Sequence, residues 1–117
     1  MSYVDGCVAA VPTVRKAEYL QHAKRCAEIF KEFGATRVVE CWGANVPHGQ
    51  LTDYYRAVQA KDDETIVFSW IEWPSKAVWE TATPKIMSDP RLSPESNPMP
   101  FDGKRMIFGG FEVIFDL

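Results

Sequence analysis

Residues 65–73 read TIVFSWIEW, and the fold turns on how this stretch is covered. Its β-branched and aromatic residues mark a strand, in which alternate side chains point to opposite faces. Ile66, Phe68, Trp70 and Glu72 fall on one face and Val67, Ser69, Ile71 and Trp73 on the other. Both sets are largely apolar, so a sheet holding this strand needs shielding on both sides.

The neighbouring segments supply the rest of a sheet. Residues 3–11 (YVDGCVAAV) have strand composition and end at Pro12. A helix is expected over 13–34, with Thr13 as N-cap, because Leu20, Ala23, Ala27, Phe30 and Phe33 recur at three- and four-residue spacing and Gly34 suits a helix end. TRVVECWG (36–43) reads as a second strand, followed by a long polar connection (44–64) in which DYYRAV forms a short helical turn capped by Thr52. A second helix begins at Pro74-Ser75 and is broken or kinked at Pro84. Residues 89–103, with four prolines, form a loop, and 104–115 form a last strand in which Gly109-Gly110 marks a bulge or a close backbone approach.

The order β-α-β-β-α-β defines an α+β, ferredoxin-like protomer over residues 1–117 as a single domain. Four antiparallel strands carry two helices on one face. Helices pack closely on small aliphatic side chains, which assigns to the helix side Val4, Val8, Ala10, Val39, Cys41, Val67 and Ile71. The bulky and mixed set is expected on the far face: Tyr3 and Asp5, then Val38, Glu40 and Trp42, then Phe68, Trp70 and Glu72. Leaving four large apolar side chains wet would forgo about 6–12 kcal/mol, comparable to the net stability of a domain. A second copy of the chain is the simplest cover, and a homodimer with facing sheets is expected.

Thirteen basic and sixteen acidic residues give a net charge of −3 with no basic stripe, which argues against a nucleic-acid partner. No run approaches the roughly 18 apolar residues of a membrane span. The N-terminal residues lack a basic leader pattern, and the odd set Cys7, Cys26 and Cys41 makes no CxxC pair, so reduced thiols in a cytoplasm are expected. Neither a GxGxxG turn nor a phosphate-binding loop is present, and no cofactor is expected.

VDGCVAAVP near the start, WGANVPHGQLTDYYRAVQAKDDETIVFSWIEWPSK in the middle and DPR…MPFDGKRMIFGGFE near the end resemble the YbaA-like bacterial family of unknown function, within the dimeric α/β-barrel superfamily. The resemblance covers nearly the whole chain. It implies a ferredoxin-like protomer in a dimeric barrel and carries no catalytic residue with it. Across the wider superfamily it implies a mixed set of chemistries, cofactor-independent oxygenases among them.

Asp5, Glu40 and Glu72 form the leading constellation, carboxylates set among aromatics where desolvation favours the neutral acid and suits proton transfer. The plain alternative is that they end strands or pair with Arg37, Arg56 or Arg105. Glu40 and Glu72 are the acid/base candidates and His48, in the loop after the second strand, a shuttle; a solvated loop histidine is the competing reading. Trp42, Trp70 and Phe68 would wall a cavity for a flat organic molecule, with Asp5 and Arg105 at its edges, or else serve as core and dimer contact. Glu18, His22 and Cys26 share one side of a helix, but chance triplets of this kind are common and no metal site is expected. The candidate functions are an enzyme acting on a small organic molecule, a small-molecule-binding module, and a structural dimer with no cavity.

Overall fold

The computed structural model describes residues 2–117. Strand β1 (Tyr3–Pro12) leads through a 3-10 turn into helix α1 (Lys16–Glu32), then β2 (Arg37–Trp42). The connection after β2 holds the short helix α2 (Tyr54–Ala57) before β3 (Glu64–Trp73). Helix α3 (Lys76–Met87) and a loop with two 3-10 turns lead to β4 (Ile107–Glu112). The strands form one antiparallel sheet in the order β2-β3-β1-β4, the ferredoxin-like arrangement.

Local chemistry explains the element ends. Ser75 Oγ accepts from the amide of Val78 and starts α3, which continues past Pro84 rather than breaking there. Thr13 does not cap a helix: it lies in the 3-10 turn, and its hydroxyl bonds that of Thr65 at 2.7 Å. The cap of α2 is Asp53 rather than Thr52, its carboxylate accepting from Arg56 N at 2.7 Å. Gly34 takes φ +112°, the left-handed region expected past a helix end. β4 is shorter than expected at both ends, because 103–105 is a 3-10 turn capped by Asp102 and the strand ends at Glu112, past which Val113 N donates to the Ser2 carbonyl at 3.2 Å.

The buried stripe of α1 runs through Tyr19, Ala23 and Ile29, Phe30 and Phe33 pack against the cluster of Tyr3, Trp73 and Ala82, and Leu20 is half exposed. The anchor is an aromatic with a polar tip, which a search for purely apolar periodicity passes over.

In an antiparallel pair, residues directly opposite share a face. The helix face therefore carries Tyr3, Asp5, Cys7, Ala9 and Val11 from β1, Val38, Glu40 and Trp42 from β2, and Val67, Ser69, Ile71 and Trp73 from β3. Here Trp73, 1% exposed, packs with Tyr3 and Ala82, and Tyr19 and Ala23 close over Val11 and Val67. The other face carries Val4, Gly6, Val8 and Ala10, then Arg37, Val39 and Cys41, then Ile66, Phe68, Trp70 and Glu72. β3 divides as expected. The face assignments of β1 and β2 are reversed, since a shift of one residue moves every side chain of a strand to the opposite face.

The long connection answers part of the covering problem. Val58, with Val46, Tyr55 and Ala60, packs on Val8, Ala10 and Ile66 and closes one end of the second face. The other end stays open around Phe68, which is 43% exposed, and β4 adds Ile107 and Phe111 at 45% and 60%, while Phe108, 79% exposed, falls on the opposite face with Cys7. The chain forms a thin slab, 38 × 38 × 21 Å, the thickness of one sheet and one helix layer. Its radius of gyration, 14.8 Å, exceeds the roughly 13 Å typical of a chain this long.

Candidate functional site

The open face is a grid of side chains set by strand register. One row reads Arg37, Glu72, Val4, Phe111 across β2, β3, β1 and β4; the next reads Val39, Trp70, Gly6, Gly109; the third reads Cys41, Phe68, Val8, Ile107. The middle row has two side-chain-free positions facing each other across β1 and β4. The ring of Phe111 folds over them, within 3.4–3.5 Å of where a Cβ on Gly6 or Gly109 would sit. Between this ring and Trp70 the sheet surface is a trough of about 810 Å³ with Phe68, Val4 and Val8 on its floor and sides. Phe68 and Trp70 meet edge to face, centroids 5.9 Å apart, and Tyr54 contacts Phe68 in the same way at 6.3 Å from the covering connection.

Polar chemistry in the trough is sparse and sits at one end. Glu72 Oε2 accepts from Trp70 Nε1 at 2.9 Å and lies 3.4 Å from an Arg37 guanidinium nitrogen. The carboxylate is one-third exposed and the guanidinium about two-thirds exposed. Asp116 lines the same space. Such a surface can hold an apolar, flat molecule and orient one polar group on it.

Of the residues that the sequence marks as a site, Glu72, Trp70 and Phe68 are brought together here. Asp5, Glu40 and Trp42 are not: they lie across the sheet, on the helix side. Asp5 Oδ2 accepts from both Trp73 Nε1 and Trp79 Nε1 at 3.0 Å, and burial raises its pKa against the lowering effect of these bonds. Glu40 accepts from the Tyr19 hydroxyl at 2.5 Å. Its carboxyl end is pressed against Tyr19 and its pKa is raised, chiefly by burial, although the residue as a whole stays exposed on the edge strand. The same burial, with Glu40 beside it, pushes the Tyr19 phenol far above its usual value. Trp42 packs beside the Val11–Tyr19 cluster, with Lys16 Nζ 5.4 Å from its ring.

His48 and Arg105 also lie outside the trough. His48 stacks on Tyr55 (4.3 Å, 23°), with Nδ1 3.6 Å from the Asp53 carboxylate, on the outer side of the connection. Arg105 forms a bidentate pair with Glu64 (2.7 Å each), bonds Asp102 and donates to the carbonyl of Gln59. Its donors clamp the loop before β4 to the start of β3. Sequence reasoning offered Arg37 only as a partner for a carboxylate, the place it takes at Glu72, and missed Phe111 and the Gly6–Gly109 pair. The glycines were visible in the sequence, but their juxtaposition requires the register of β1 on β4.

A second polar cluster lies under the 89–103 loop. Asn97, 3% exposed, donates to Cys26 Sγ at 3.3 Å, and His22 Nε2 is 3.7 Å from the same sulfur. Burial raises the Cys26 thiol pKa and lowers that of His22, so the pair is neutral rather than a thiolate–imidazolium couple. Among the described residues no group of three or more His, Cys, Asp or Glu side chains is placed to hold a metal ion, and no helix is long and apolar enough to cross a membrane.

A ferredoxin-like slab with one apolar, aromatic-lined sheet face defines the class of protein. Residues 2–103 match the family described as "Protein of unknown function (DUF1428)". The chain is also 56% identical over 116 residues to the "Uncharacterized protein YbaA" of Escherichia coli K12, with 99% of each chain covered, and equally so to that of Shigella flexneri. The chain belongs to this DUF1428, YbaA-like family.

Proposed function

We propose that the protein is a homodimer, of the dimeric α/β-barrel kind, whose two sheets face each other and enclose a binding site for a small organic molecule. The observation that carries this reading is the trough of about 810 Å³, within the 300–1,000 Å³ typical of ligand sites, with an apolar aromatic lining and one polar end. Support for the second copy comes from the open grid and from β4, which pairs only with β1 and exposes large apolar side chains on both faces. Ile114 and Phe115, 87% and 79% exposed, continue that apolar surface beyond the strand. Patches of this kind on a folded chain mark contact surfaces.

Binding is a better-supported role for this trough than catalysis. An acid/base mechanism needs two ionisable groups at reach of one ligand atom; of Asp5, Glu40 and Glu72 only Glu72 faces the trough, already held by Trp70 and Arg37, and Asp116, which also lines it, lies in the tail beyond β4. The three free thiols fit a reducing cytoplasmic setting.

Sedimentation equilibrium at micromolar concentration tests the assembly. A mass of twice 13.3 kDa is expected, falling to 13.3 kDa when Phe68→Asp places a charge on the contact face. A monomeric native protein refutes the dimer. Thermal-shift screening against a metabolite library tests the site, and a library without a hit, with the facing sheets fully interdigitated in a crystal, would leave a structural dimer instead.

A further inference from the structure

The lining of the trough narrows the ligand to a chemical class, provided that the trough is a ligand site as proposed above. We propose that the site selects a planar aromatic molecule bearing a protonated or N–H-bearing nitrogen, which is held by the free carboxylate oxygen of Glu72.

Four observations converge. First, both contacts to the Glu72 carboxylate, from Trp70 Nε1 and Arg37, go to Oε2. Among the described residues Oε1 has no hydrogen-bond partner, and it belongs to a carboxylate one-third exposed beside the trough. Second, of the charged residues lining the space, Glu72 and Asp116 are acidic and only Arg37 is basic, so a cation is favoured over an anion. Third, the walls are π faces. Trp70 and Phe68 stand on one side and Phe111 on the other, and aromatic faces attract cations and stack flat rings. Fourth, the Gly6–Gly109 pair carries no side chains and the Phe111 ring packs over it, 3.4–3.5 Å from where a Cβ on either glycine would sit, so an aromatic ring lies beside the middle row that also holds Trp70.

Arg37 is the group that would favour an anion, and its position argues against that. Its side chain is 63% exposed against 33% for Glu72, so the carboxylate sits in the lower-dielectric position, where a charge acts more strongly on a bound ligand. The Arg37 contact goes to Oε2 and leaves Oε1 without a partner among the described residues.

Calorimetric titration at pH 7 with three probes that share one ring system tests the inference: tryptamine, indole and indole-3-acetate. Tryptamine is expected to bind at least tenfold more tightly than indole-3-acetate. In Glu72→Gln that preference collapses to the level of neutral indole. If Glu72→Gln fails to fold, salt reads the same contribution in the native protein, because raising ionic strength weakens tryptamine binding and leaves indole binding level. Tighter binding of indole-3-acetate, lost in Arg37→Ala, overturns the nitrogen selectivity and leaves the groove as a ligand site. Equal binding of all three probes overturns it in the same way. Binding by none of them overturns the inference too, and the library screen then decides whether the groove reading falls with it.

Discussion

Replacing Asp5 separates a structural carboxylate from a catalytic one. Its Oδ2 takes two indole N–H groups, from Trp73 and Trp79, and Trp73 is 1% exposed, so in Asp5→Ala that donor keeps no partner and no water. An orphaned buried donor costs about 1–3 kcal/mol. Trp73 takes the upper part of that range, partly buried Trp79 the lower, and release of a desolvated carboxyl offsets some of the loss. The net expectation is a loss of about 2–4 kcal/mol at pH 7, with Asp5→Asn, whose amide oxygen still accepts both bonds, within about 1 kcal/mol of native. Urea unfolding reads this directly: the Asp5→Ala midpoint falls by roughly 1–2 M with an unchanged slope.

The pH dependence gives the same experiment a second arm. Burial raises the Asp5 pKa above its ordinary 3.8, so the fold favours the protonated acid. That contribution is full below about pH 3.8 and is lost as pH rises through the folded-state value. Asparagine does not titrate, so the stability of Asp5→Asn relative to native improves from pH 3 to pH 7. An Asp5→Ala protein within about 0.5 kcal/mol of native, or an Asp5→Asn difference that stays flat with pH, refutes the reasoning.

Glu64→Ala strips the bidentate partner from Arg105, whose side chain is 15% exposed, and is expected to cost about 3 kcal/mol by chemical denaturation, the low end for a broken buried pair because Asp102 and the Gln59 carbonyl remain. Arg105 holds the Glu64 carboxyl below its ordinary 4.5, so this stabilisation is present above about pH 4.5 and is lost on acidification through the folded value; acid unfolding of Glu64→Gln should show a shallower slope there. In Gly110→Ala the new Cβ would overlap the Tyr3 hydroxyl and come within 2.7–2.9 Å of two ring carbons, and because Tyr3 is 7% exposed it cannot swing away; loss of β4 protection in hydrogen exchange is the expected readout. His48→Ala leaves tryptamine binding unchanged, since the ring lies on the outer side of the connection, stacked on Tyr55.

Much of the site's partial legibility comes from how strands present side chains. Glu72, Trp70 and Phe68 lie at alternate positions of one strand, so their common face is readable from spacing alone. Joining them to Asp5, Glu40 and Trp42 required choosing a face on two other strands. That choice rested on size, with small residues set toward the helices and large ones away. The opposite holds, because the large residues on the helix side have polar tips with internal partners: Trp73 and Trp79 at Asp5, and Tyr19 at Glu40. Arg105 reads from the sequence as a cation at a cavity's edge or a partner for Asp5, Glu40 or Glu72, and only the fold shows it engaged instead by Glu64, 41 positions away in the chain.

The order of elements, the Ser75 cap, the left-handed Gly34 and the doubly apolar third strand are all properties of nearest neighbours along the chain, and the amino-acid sequence alone dictates them. Which face of β1 and β2 meets the helices, how far residues 44–60 reach over the other side, and where the two glycines meet belong to the folded molecule. The reason is geometric. Alternation with a period of two divides a strand's side chains into two sets but carries no label for inside and outside, and that label comes only from cross-strand register and the docking of helices from distant parts of the chain.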